Sequence, residues 1–215
     1  MKKILIPTVL LALVLITGCR DSPTGPTTVY VHDTVYSCPH MNLLDAGDFL
    51  TSNPSVVDMD QSTIPPWLPA TGTPQLGAGL GCDSTHGYIQ MWGNSEDGES
   101  IMQHLRTPIQ KGKTYVVTAC IRFLKDNPAN VSPFTRVRFM AFNQVPSSTH
   151  WVEDRPNVAV IGSVKTSNET WQTYTLPDWV ADSDYSGFAF NVEDDLVGDG
   201  SASWAKIDNV TLTEK

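Results

Sequence analysis

The sequence predicts an all-β domain built as a two-sheet sandwich, and three observations carry that expectation. From Met41 onward the chain breaks into short runs of β-branched and aromatic residues bounded by Gly, Pro, Asn and Asp, the pattern of strands separated by turns. Within the runs apolar and polar residues alternate, the period of a sheet with one buried face. Eight or nine such runs over the last ~175 residues match the arithmetic of two packed sheets. Composition agrees. The 215 residues hold 15 Gly, 15 Pro and only 17% charged residues, which excludes a coiled coil and a highly charged disordered chain. Lys and Arg number 14 against 23 Asp and Glu, for a formal charge of −9. A nucleic-acid binder would need a basic stripe to displace phosphate counterions, so that class is excluded as well.

The chain opens with Lys2 and Lys3 ahead of an apolar run, Ile4 to Ile16, broken only by Pro7 and Thr8. The run is too short to span a bilayer and closes on small residues and a thiol. Ile16-Thr17-Gly18-Cys19 resembles the lipobox of bacterial lipoproteins. That resemblance implies that residues 1–18 are a signal peptide and that Cys19 is acylated and becomes the new N-terminus. The alternative is an ordinary secretory signal that happens to end near a cysteine. Each buried CH₂ of an acyl chain contributes about 0.8 kcal/mol, so two chains give a stable anchor. The membrane is then a partner through the lipid alone, and the domain faces water outside the cytoplasm. Arg20 is not the Asp that retains such proteins in an inner membrane. In a Gram-negative envelope this points to the outer membrane or cell surface.

Residues 19–40 read as a flexible linker. Arg20 to Thr28 has no hydrophobic period, and Val29 to Tyr36 alternates only weakly, as stalk or a loose edge strand. Residues 41–215 form the domain. Strands are expected at 86–92, 100–105, 114–124, 135–143, 158–164, 171–176, 187–192 and 206–213. Helical period occurs only at 41–50 and 97–106, both short. Cys38, Cys82 and Cys120 remain after lipidation, and an oxidising compartment permits a disulfide. Cys82 in a loop and Cys120 in a strand are the preferred pair, leaving Cys38 in the stalk as the free thiol.

Asn42-Leu-Leu-Asp-Ala-Gly-Asp-Phe49 opens the domain, and Ile207-Asp-Asn-Val-Thr-Leu212 closes it. Between them lie Gly98-Glu-Ser-Ile-Met-Gln-His-Leu105 and Pro108-Ile-Gln-Lys-Gly-Lys-Thr-Tyr115. In this order the four motifs resemble the jelly-roll carbohydrate-binding modules of families 4, 9, 16 and 22, within the galactose-binding-like superfamily. Leu50 departs from the pattern, which often carries Glu there. The resemblance covers 42–213 and implies a jelly-roll β-sandwich of the galactose-binding-domain-like kind. It also implies one structural Ca²⁺ held near the first and last strands, where Asp48 and Asp208 supply the hard oxygens that ion prefers. The alternative is that Asp208 caps the turn and Asp48 is a solvated surface charge. Asp194-Asp195 with Asp199 lacks EF-hand spacing and reads as an acidic hairpin.

Parity sorts the faces of each strand. Ile89 and Met91, then Tyr115, Val117, Ala119, Ile121 and Phe123, then Val137, Phe139 and Ala141, then Phe188, Phe190 and Val192 form the core side. If these strands share a sheet, the opposite face carries Tyr88, Gln90, Trp92, Arg122, Arg138 and Asn191. Flat rings cover pyranose C–H surfaces while amides and guanidinium groups bond hydroxyls, and related modules bind glycans in a concave cleft of this kind. These six are therefore the candidate ligand site. The alternative is that the aromatics pack under a loop and the arginines pair with carboxylates. Trp67 on a loop tip is ambiguous between ligand and core. Trp171 and Trp204 look like core or edge-sealing residues, and Trp179 is no more persuasive as a ligand contact.

The five histidines lack zinc spacing, and no G-x-S-x-G elbow or phosphate loop is present. Glu99, Glu153 and Glu193 are acids without a supporting catalytic motif. The sequence thus points to a non-enzymatic, envelope-anchored carbohydrate-binding lipoprotein module, its partner a polysaccharide or envelope glycan. The alternative is a structural or adhesive protein that binds a protein partner through the same fold.

Overall fold

The alternating runs become two antiparallel sheets in the computed structural model, which describes residues 41–49, 57–59, 64–77, 81–83, 87–93, 98–124, 134–144, 157–193 and 203–215. Cys19, the signal segment, the linker and Cys38 lie outside the described residues, as do Asp194, Asp195 and Asp199. In chain order the strands are β1 (Val57–Asp58), β2 (Leu68–Thr71), β3 (Gln75–Gly77), β4 (Tyr88–Gly93), β5 (Ser100–Ile109), β6 (Thr114–Leu124), β7 (Thr135–Phe142), β8 (Val158–Thr166), β9 (Gln172–Thr175), β10 (Trp179–Val180), β11 (Tyr185–Glu193) and β12 (Ser203–Glu214). The seven-stranded sheet runs β1-β3-β4-β12-β6-β10, with β9 also paired to β6, and the five-stranded sheet runs β2-β5-β11-β7-β8. The chain is all-β, a jelly-roll sandwich.

Between the sheets lie the residues that parity assigned to the core, from Ile89 and Met91 to Phe188, Phe190 and Val192. At the centre of this core Trp67 touches Phe49, Phe188 and Phe190, at ring-centroid distances of 5.5, 6.4 and 5.5 Å. Trp67 is fully buried and follows a cis Pro65-Pro66 peptide. Its indole N–H donates to the carbonyl of Ala46 at 3.0 Å. The ambiguity left by the sequence resolves to core.

The four motifs are the devices that close this sandwich. Residues 41–49 form a chain of turns rather than the helix their period allows, because their polar groups bond the last strand. Asn42 accepts from the amides of Leu44 and Leu212 at 3.1 and 3.0 Å, and Leu43 donates to Leu212 O at 2.7 Å. Gly47 receives the Val210 amide at 2.9 Å. A Cβ there would lie 2.0 Å from Val210 O, so only glycine admits the approach. Gln103, the glutamine of the second motif, is buried and exchanges two bonds with the backbone of Asp45, at 3.2 and 3.3 Å. Residues 97–106 likewise depart from their helical period, since most of them belong to β5. In the third motif Gly112 takes a φ of 79°, the left-handed turn that carries the chain from β5 in one sheet to β6 in the other. Asn209 (φ 49°) marks a bulge between Asp208 and Thr211, after which Val210 and Leu212 return to the core.

At the β10–β11 end Tyr185 is buried and its hydroxyl donates to Asp182 at 2.6 Å. Burial, then the Asp182 bond and charge, push the phenol from 10 up to about 12. The native chain therefore keeps a proton that the unfolded chain loses above pH 10. Stability from this group is complete below that pH and declines as pH rises toward 12. Urea midpoints should fall across this interval, and Tyr185→Phe should make the fall visibly shallower. An equally steep fall in the variant would exclude Tyr185 as its source.

Candidate functional site

The outward face of the seven-stranded sheet sets aromatic and polar groups side by side. Register aligns one residue from each of five strands in a row: Asp58 with Gln75, Gln75 with Gln90, Gln90 with Lys206, and Lys206 with Arg122. All five point outward because their neighbours in sequence are core residues, as Ile89, Met91, Ala205, Ile207 and Ile121 show. Gln75 donates to Asp58 at 3.0 Å, and Gln90 donates to Gln75 at 3.4 Å. Lys206 lies over the Tyr88 ring, 4.2 Å from its centroid, and donates to the Tyr88 hydroxyl at 3.0 Å. Arg122 Nε donates to the Glu169 carbonyl at 2.8 Å.

Aromatic residues flank this row on both sides. Two residues further along, Trp92 and Trp204 are cross-strand partners, each partly exposed. On the other side Tyr88 meets Trp171, with ring centroids 6.2 Å apart. Glu99 fixes the Trp92 end. Its carboxylate accepts the Trp92 amide at 2.7 Å through one oxygen. The other oxygen accepts the Thr73 amide and hydroxyl at 3.0 and 3.3 Å. A buried carboxylate is thus fully occupied in holding two strand ends together.

Of the six residues expected on one face, Tyr88, Gln90, Trp92 and Arg122 come together here. Arg138 and Asn191 do not. They belong to β7 and β11 of the five-stranded sheet, where they are register partners, and they point away from the core on the opposite side of the sandwich. There Arg138 pairs with Glu193 at 2.5 Å, and Asn191 donates to the other oxygen of Glu193 at 2.9 Å. Parity states which side of its own sheet a residue occupies, but a jelly roll deals successive strands to different sheets. Next to this pair, Met102, Met140, Phe142, Val158 and Ala189 form a second apolar cluster on the outer side of the five-stranded sheet, all of them buried. That face does not present an open platform at its centre.

Trp204, Lys206 and Trp171 were not expected at the site. The first two were legible: Trp204, Lys206 and Asp208 alternate with Ala205 and Ile207, Lys206 already opens the strand expected at 206–213, and extending that strand by three residues adds Trp204 to the outer face. Trp171 precedes a short edge strand, and no periodicity fixes its direction.

Cys82 and Cys120 form a disulfide, and Asp208 lies beside it. The Asp208 carboxylate is fully buried and accepts the amides of Cys82 and Asn209 at 2.6 and 2.7 Å, one on each oxygen. Amide dipoles already stabilise this anion, whereas a Ca²⁺ centre draws six to eight oxygens to one point. Asp48 is partly exposed, and among the described residues no three of His, Cys, Asp and Glu gather where they would hold a metal. The pair Asp48 and Asp208 does not fit a calcium centre in this geometry. Asp208 instead holds the Cys82 turn against β12.

No protein-family model matches the chain. No curated protein matches it. Solved structures do resemble it. An arabinose-bound α-L-arabinofuranosidase, MgGH51, superposes with a TM-score of 0.54 at 12% identity, over 81% of this chain and 26% of that one. The chain therefore spans about a quarter of that enzyme's length. The CBM22-2 xylan-binding domain of Paenibacillus barcinonensis Xyn10C gives a TM-score of 0.46 at 15% identity, covering 76% of this chain and 100% of that one. A family 16 carbohydrate-binding module gives 0.40 at 14% identity, covering 65% and 84%. At 12% identity the likeness to MgGH51 is one of fold.

Proposed function

We propose that this chain is a non-catalytic carbohydrate-binding module, held at the cell envelope by an acylated Cys19, and that it binds a polysaccharide on the outer face of the seven-stranded sheet. The observation that carries the reading is the row Gln75–Gln90–Lys206–Arg122 set between Trp92 with Trp204 and Tyr88 with Trp171. Residues two apart on a strand are separated by about 6.7 Å, so Trp92 and Trp204 sit about one sugar ring from Gln90 and Lys206, while Tyr88, buried under Lys206 and against Trp171, braces the row. Aromatic faces take the apolar side of a pyranose while amide and cationic donors reach its hydroxyls. The sandwich is also the fold of the modules named above, and the engagement of Glu99 with strand ends and of Glu193 with Arg138 supports a binding role over a hydrolytic one.

A glycan array probed with the full-length protein in detergent tests the reading. Binding should be retained by the wild type and lost in Trp92→Ala and Trp204→Ala, with thermal unfolding nearly unchanged because both side chains are partly exposed. Absence of binding to any glycan by folded wild-type protein would overturn it and turn attention to a protein partner. The anchor rests on residues 1–19. Incorporation of a labelled fatty acid by wild-type cells and its loss in Cys19→Ser would support it, and unlabelled wild-type protein would exclude it.

A further inference from the structure

We infer that the polysaccharide taken by this face is an acidic one, built of pyranoses that carry carboxylates; the inference rests on the carbohydrate-binding reading and names its ligand class. The chain has more acids than bases, and the cations Arg106, Lys113, Arg138 and Lys215 each have a carboxylate partner, Asp45, Glu214, Glu193 and Asp178, within 2.5 to 2.8 Å. Lys206 and Arg122 are not among the cations so paired. Their partners among the described residues are the Tyr88 ring and hydroxyl and the Glu169 carbonyl, all of them uncharged.

These two cations are also direct cross-strand neighbours. Like charges placed opposite each other on adjacent strands are destabilising, and in a protein of −9 there is no shortage of acids with which to separate them. The acid in their row, Asp58, is bonded to Gln75 and stands three strands from Lys206. The face therefore holds a local positive site inside an acidic molecule, with the partly exposed Trp92 and Trp204 beside it. A guanidinium fork and an ammonium side by side match a carboxylate, the guanidinium through paired N–H donors. The partly exposed Trp92 and Trp204 would cover the apolar faces of neighbouring rings. Neutral polysaccharides satisfy the aromatics but leave the two charges unanswered.

Affinity electrophoresis of the full-length protein tests this, with polygalacturonate or alginate in the gel, xylan and mixed-linked glucan as neutral probes, and dextran sulfate as a polyanion without carboxylates. Retardation should be strongest in the uronate gels and should weaken as salt is raised. The pair Lys206→Met and Arg122→Gln should weaken it by roughly tenfold or more. Lys206→Arg should restore it, and Lys113→Met, which removes a paired cation elsewhere, should leave it intact. Retention only by neutral glycans would overturn the acidic preference while leaving the carbohydrate reading standing. Retention by no glycan would overturn both. Equal retardation by dextran sulfate, unaffected by Trp92→Ala, would reduce the site to unspecific charge attraction and overturn the inference.

Discussion

Trp67→Ala is expected to destabilise the domain by about 3–5 kcal/mol. The side chain is fully buried, and its removal leaves a void bounded by Phe49, Phe188 and Phe190. Those rings belong to the opening turns and to β11, so they cannot collapse inward without breaking strand register. The substitution also removes the indole donor to the Ala46 carbonyl, which keeps the Phe49 amide as its other donor, so the void accounts for most of the loss. Domains of this size are typically stable by about 5–15 kcal/mol, so a large share of the total rests on one residue. Urea denaturation followed by tryptophan fluorescence and circular dichroism measures it. Trp67→Phe should recover part of the loss, since it restores ring volume but not the N–H. A loss below about 1 kcal/mol for the alanine variant would mean that the core repacks freely around this position.

Removing the disulfide is the second large effect. Cys82 and Cys120 are 38 residues apart in sequence, and cross-linking a loop of that length restricts the unfolded chain by about 4 kcal/mol. The double variant Cys82→Ala, Cys120→Ala should therefore unfold at a markedly lower urea concentration, with a midpoint temperature lower by roughly 10 °C. The turn carrying Cys82 is also tied to β12 by the Asp208 carboxylate. In the double variant, further replacement of Asp208 by Asn should cost more than it does beside the intact disulfide, because the carboxylate is then the main remaining tie. A double variant as stable as the wild type would show that the Asp208 bond and the surrounding strands already order this loop.

What the sequence revealed and what it hid follow from the same physics. Long strands buried on one face were legible because period 2 is a local signal. The run at 114–124 coincides with β6, and the core sides of β4, β6, β7 and β11 came out correctly. The short strands β1, β2, β3 and β10, of two to four residues, carry no measurable period. They exist because a longer neighbour offers unpaired amides and carbonyls at its edge. The helical period at 41–50 misled for a related reason. Asn42, Gly47 and Phe49 satisfy distant partners on β12 and in the core rather than each other. The candidate site was half legible. Outwardness could be read from alternation, but sheet membership depends on which strand pairs with which, and that is a long-range property. Arg138 and Asn191 were placed with Arg122 for want of it.

The position of β12 between β4 and β6 also bears on how the chain acquires its shape as it is synthesised. Synthesis from the N-terminus delivers β12 after the other eleven strands. Until Ser203–Glu214 emerges, β4 and β6 have no common neighbour, the Leu212 amide is not there for Asn42, 170 residues upstream, and Lys206 has not joined Arg122. Closure over such separations is intrinsically slow. The sandwich must therefore remain unfinished until the twelve-residue strand β12 arrives.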